Sequence, residues 1–114
     1  MTAADVGTMG RIGLKPVIFV LNNGGYMVER ALEENPDWVY NDLAQWNYHA
    51  LPAALGCPGW FTAKVTTLGE LDAALARAAT CESACYIEIV GGRMDLPAGL
   101  ALAHERLEAL YADR

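Results

Sequence analysis

The chain has 114 residues, 54% of them hydrophobic, with 14 acidic against 8 basic side chains and a net charge of −6. That is enough for one compact core and too little for two ordinary domains, so residues 1–114 read as a single domain. An acidic balance without a Lys/Arg stripe argues against nucleic acid or an anionic membrane as partner, and no apolar run approaches membrane-spanning length.

Three cysteines, Cys57, Cys81 and Cys85, form no CxxC pair and suit a reducing, cytoplasmic home. Met1-Thr2-Ala3-Ala4-Asp5 lacks the basic start and apolar segment of a signal peptide. Thr2 and Asp5 resemble a capping pattern, and Val6, Met9 and Ile12 share a helical face, which predicts a helix over residues 3–12. Val17-Ile18-Phe19-Val20-Leu21 is an uninterrupted apolar run, the pattern of a strand covered on both faces in a parallel sheet.

Asn22-Asn23-Gly24-Gly25 then reads two ways. Asn-Gly is a strong hairpin signal. Against a hairpin, Val28 and Leu32 lie four apart and Arg30 faces Glu34, which favours a helix from Tyr26 to Glu34 ended by Asn35-Pro36-Asp37. Residues 38–47 read as an irregular excursion. His49 to Leu55 predicts a short helix with Pro52 in its first turn and Gly56 at its end. Trp60 to Val65 predicts a second strand. Thr67 and Glu70 form a capping box for a helix to Ala79, with Leu68, Leu71, Leu75 and Ala78 on its apolar face. Ala84 to Val90 predicts a third strand, and Leu100, Ala103, Leu107 and Leu110 or Tyr111 a last helix.

The alternation of helix and strand predicts an α/β fold with a mostly parallel sheet of about three strands flanked by helices. In such folds a strand-to-helix turn lies at the carboxyl ends of the strands, where ligands bind. Backbone carbonyls, an asparagine oxygen and a helix start there suit a divalent metal carrying a phosphate. His49 is expected to be packed or half exposed and His104 on the surface, and Cys81 and Cys85 find no further ligands for a zinc site.

The stretch LKPVIFVLNNGGYMVE resembles the C-terminal, diphosphate-binding domain of thiamine-diphosphate-dependent 2-keto acid decarboxylases, the pyruvate and indolepyruvate or phenylpyruvate decarboxylase group. The shared core is Asn-Asn, one variable residue, Gly-Tyr, two more residues and Glu. Trp46-Asn47-Tyr48 through Leu55-Gly56, the Thr67–Ala79 helix and YIEIV are also similar to the family. The resemblance implies thiamine diphosphate and Mg²⁺ as cofactors of the complete enzyme, bound weakly or not at all by this chain alone, a partial thiamine-diphosphate-binding fold, and a reaction from 2-keto acid to aldehyde plus CO₂. It implies Asn23 and Gly25 as metal ligands, through a side-chain oxygen and a backbone carbonyl, and Tyr26 and Val28 as residues lining the cofactor and substrate pocket. Glu29 matches the active-site glutamate that handles protons. Read on its own, Glu29 is a carboxylate stabilising a helix start.

The family's Gly-Asp-Gly-Ser segment, with its acidic metal ligand, and its N-terminal domain have no counterpart in these residues. The resemblance therefore implies a C-terminal fragment or split subunit, inactive alone, which meets the remaining part of the enzyme or a partner chain and forms a homo-oligomer. Alternatives are an interaction subunit that completes the cofactor site with another chain, or a fragment of an acetolactate-synthase-like carboligase.

Overall fold

Strands β1 (Val17–Asn22), β2 (Phe61–Val65) and β3 (Cys85–Val90) form a parallel sheet in the order β1-β3-β2, so the last strand in the chain lies between the first two. The computed structural model describes residues 2–33, 35–95 and 99. The helix expected from Leu100 to Tyr111, His104 and the Glu34 partner expected for Arg30 lie outside these. Helices are α1 (Ala4–Arg11), α2 (Met27–Leu32), α3 (Leu51–Ala54) and α4 (Leu68–Ala79), with single 3₁₀ turns at Val39–Asn41 and Tyr48–Ala50. No described helix is long and apolar enough to cross a membrane. The chain divides into two compact units, Met1–Asn22 with Trp46–Val90, and Asn23–Gln45 with Gly91–Arg114.

In the first unit the local signals do what their chemistry dictates. The Thr2 N–H donates to the Asp5 carboxylate at 2.7 Å, half of the expected cap. The Thr67–Glu70 box is complete: the Glu70 N–H donates to Thr67 Oγ1 at 3.2 Å and the Thr67 N–H to Glu70 Oε2 at 3.1 Å. Pro52 sits in the first turn of α3, where its missing N–H costs nothing. Helix α4 lays Leu71, Ala74 and Ala78 over Val65 and Ile87, with Phe61, Ala63 and Ile89 around them.

Two expectations are corrected. Leu68 and Leu75, expected on the apolar face of α4, are 80% and 41% exposed. The apolar run of β1 does not form a strand buried on both faces: it is an edge, and Val17, Phe19 and Leu21 are 46%, 46% and 80% exposed. These three share the sheet face on which α4 packs, but α4 covers β2 and β3. The buried strand is β3, with Cys85 to Glu88 all enclosed.

At the middle of β3, Glu88 is 0% exposed. Its Oε1 accepts from Asn22 Nδ2 at 2.8 Å and lies 3.7 Å from Lys64 Nζ. Its Oε2 meets the His49 N–H at 3.3 Å and His49 Nδ1 at 3.1 Å. Burial alone pushes this carboxyl up, but the bonds from Asn22 and His49 and the Lys64 charge more than offset it and hold it below the usual glutamate range. A depressed folded value means that Glu88 contributes stability above the ordinary glutamate range, near pH 4.3, and loses it as pH falls through the folded value. Replacing Glu88 with Ala removes one buried partner from Asn22 and His49, and urea unfolding at neutral pH is expected to show a loss of about 2–4 kcal/mol. The difference from wild type should shrink in acid.

Candidate functional site

The second unit opens with Asn23, directly after β1 in the chain, and the hairpin alternative fails there. Residues 27–32 are helical, and β1 pairs in parallel with β3 rather than with residues 26–30. Gly24 takes φ of +75°, a left-handed conformation that a side chain resists. Gly25 then forms a single antiparallel bridge with Asp42, framed by Tyr26 N–H donating to the Asn41 carbonyl at 2.8 Å and Leu43 N–H donating to the Gly24 carbonyl at 3.1 Å.

This frame aims the Gly25 carbonyl. The Tyr26 N–H and the Gly25 C=O belong to one planar trans peptide and point in opposite directions, so the bond to Asn41 turns the carbonyl away from residues 41–43. No donor among the described residues reaches it. On the same side, the Gly25 N–H faces Asn23 Oδ1 at 3.5 Å, the outer limit of a hydrogen bond. The turn thus brings together two hard oxygens, Asn23 Oδ1 and the Gly25 carbonyl, neither held by a strong internal bond.

Tyr26 stands at the start of α2 and is 53% exposed; Val28, in its first turn, is 45% exposed. Glu29 is also exposed in that first turn, where its carboxylate both favours the helix start and remains open to a ligand. Its charge is felt by Tyr40. Desolvation, then a hydrogen bond to Glu33 and the charges of Glu33 and Glu29, hold the Tyr40 hydroxyl above its ordinary range.

The TPP-binding, C-terminal domain of thiamine pyrophosphate enzymes matches residues 1–89, a span that includes the turn and all but the last residue of the three strands. The chain belongs to this family. Among curated relatives, the alpha-keto-acid decarboxylase of Mycobacterium tuberculosis is 42% identical over 100 residues, that of Mycobacterium avium 41% over 100 and that of Mycobacterium leprae 38% over 98. Each match covers 85% of this chain and 17% of the relative, so the chain spans about a sixth of their length. The parallel three-stranded sheet is consistent with part of the α/β fold that such domains adopt.

Sequence reasoning placed Asn23, Gly25, Tyr26, Val28 and Glu29 in one motif, and the structure places them on one turn and the helix directly after it. It missed Arg30, Asn41 and Asp42. Helical spacing paired Arg30 with Glu34, which lies outside the described residues; the guanidinium also reaches twelve residues on, to Asp42 Oδ1 at 2.5 Å. That bond, together with the Arg93 charge, outweighs partial desolvation and holds the Asp42 carboxyl below its ordinary range. The one available signal was Gly25 itself, because a Cβ there would overlap the Asn41 carbonyl oxygen and Arg30 Nη2. Gly25→Ala is expected to push the 41–43 segment away at a cost of about 1–3 kcal/mol. Faster amide exchange at Tyr26 and Leu43, with β3 unchanged, is the measurement that checks it.

Proposed function

We propose that this chain supplies the diphosphate side of the cofactor site of a thiamine-diphosphate- and Mg²⁺-dependent 2-keto acid decarboxylase, which forms an aldehyde and CO₂, and that it has no turnover alone. The observation that supports this best is that Asn23 Oδ1, held only by a 3.5 Å contact from the Gly25 N–H, and the outward Gly25 carbonyl lie on one side of the Asn23–Gly25 turn. Amide and backbone oxygens are the hard, neutral donors that Mg²⁺ accepts. Among the described residues no three His, Cys, Asp or Glu side chains are grouped to hold a metal. On this reading the acidic ligand comes from a Gly-Asp-Gly-Ser segment elsewhere in the enzyme or in a partner chain.

When bound, thiamine diphosphate supplies the carbanion chemistry that releases CO₂ from a 2-keto acid. Asn23 and Gly25 hold the cation that neutralises the diphosphate. Tyr26 and Val28, exposed at the start of α2, flank the cofactor and substrate. Glu29 holds and delivers a proton at its carboxyl as product forms. Free thiols at Cys57, Cys81 and Cys85 agree with a cytoplasmic setting.

With the upstream part supplied in trans, Glu29→Gln is expected to lower kcat by roughly 10²–10⁴-fold, the usual contribution of a positioned acid or base. Asn23→Ala should instead raise the Mg²⁺ requirement roughly tenfold to a hundredfold, or about 1.4–2.8 kcal/mol of binding, with kcat largely restored at saturating metal. Aldehyde production by the lone chain, or an unchanged rate in Glu29→Gln, would show these roles to be wrong.

The exposed Val17, Phe19 and Leu21 support an assembled state, because soluble monomers rarely leave a row of large apolar side chains uncovered. Light scattering of the isolated chain is expected to give masses above the monomer. A clean monomer over a wide concentration range speaks against assembly through this face.

A further inference from the structure

Arg30 is fully buried, and its hydrogen bonds end on the segment that returns after α2. Nη1 donates to the Pro36 carbonyl at 2.9 Å, and Nη2 donates to the Asn41 carbonyl at 2.9 Å and to Asp42 Oδ1 at 2.5 Å. The Asn41 carbonyl is thus shared between two donors, Arg30 Nη2 and the Tyr26 N–H. The guanidinium also lies against Gly25, since a Cβ there would stand 3.2 Å from its Cζ.

This clasp leaves buried polar atoms unmatched. Arg30 Nε and both side-chain polar atoms of Asn41 are buried without a hydrogen-bond partner among the described residues. Buried polar groups left unmatched cost stability, and in a native structure they call for another reason. A chain of rigid links offers one. Arg30 fixes the Asn41 carbonyl, that carbonyl fixes the Tyr26 N–H, and peptide planarity fixes the direction of the Gly25 carbonyl.

We propose that Arg30 is a positioning residue that sets the direction of the Gly25 carbonyl for a divalent cation, acting through the Asn41 carbonyl with Asp42 as its counter-charge. The inference rests on the reading of Gly25 and Asn23 as cation donors. A lysine keeps the charge but cannot donate to Pro36, Asn41 and Asp42 together from a planar fork.

The test titrates Mn²⁺ with thiamine diphosphate into the isotope-labelled full chain, with the upstream part supplied in trans, and reads paramagnetic broadening at Asn23, Gly25 and Tyr26, beside the Gly25 carbonyl shift and amide exchange without metal. Arg30→Lys and Arg30→Met are expected to move the Gly25 carbonyl shift, speed exchange at Tyr26 and raise the broadening midpoint at least tenfold, while exchange along β3 stays unchanged. If either variant loses β3 protection, Asp42→Ala, which removes a single hydrogen-bond partner of Arg30, replaces it with the same expected direction. A broadening midpoint within twofold of wild type, with Tyr26 exchange accelerated or not, overturns the inference. Dependence on Asn23 but not on Arg30 would refute the clasp alone. Broadening indifferent to Asn23→Ala as well would overturn the cation reading and the clasp with it.

Discussion

A charged carboxylate enclosed at the centre of the sheet constrains everything around it in the first unit. An isolated buried carboxylate is several kcal/mol unfavourable, so Glu88 dictates what its neighbours must be. Asn22 reaches it from β1, Lys64 stands opposite it on β2, and the Tyr48–Ala50 turn covers it with the backbone and ring of His49. Register follows from the same requirement. Sliding β3 by one residue would turn Glu88 into the apolar contact between Val65, Ala74 and Ile87, away from Asn22 and His49. A partnered buried charge adds little net stability compared with an apolar side chain, but it penalises any register that separates it from its partners.

The two faces of the sheet are therefore held by different physics. The face with Ile18, Val20, Tyr86 and Glu88 combines hydrogen bonds around a charge with apolar side chains, and the face with Cys85, Ile87 and Ile89 is held by apolar packing under α4. The second face is left unfinished at β1. Its Val17, Phe19 and Leu21 belong to a run whose composition demands cover, and the described residues provide none. An apolar run of this kind records the environment that a strand needs, and among the described residues only β3 attains it.

In the second unit a different economy operates. The Asn23–Gly25 turn has no regular secondary structure to hold it, so its geometry comes from a left-handed glycine, one isolated bridge and a planar peptide. Turning a carbonyl outward means that its peptide N–H must be satisfied inward, and the Asn41 carbonyl does this. Gly25 is required there for space more than for conformational freedom, because the opposing backbone and guanidinium approach too closely for any side chain.

What could be read from the sequence is what depends on near neighbours along the chain. The capping box of α4, the proline in α3, the glycine at the turn, the three strands and the Asn-Asn-x-Gly-Tyr-x-x-Glu motif all express spacings of a few residues, and the fold class follows from their order. Tertiary structure alone decided which strand is central, because burial depends on neighbours that strand composition does not name. It also decided that His49 and Asn22 serve a carboxylate 39 and 66 residues away, and that Arg30 reaches Asp42 twelve residues on. Hydrogen bonds of that reach leave no periodicity in the sequence; they exist only once the backbone has brought the partners within about 3 Å.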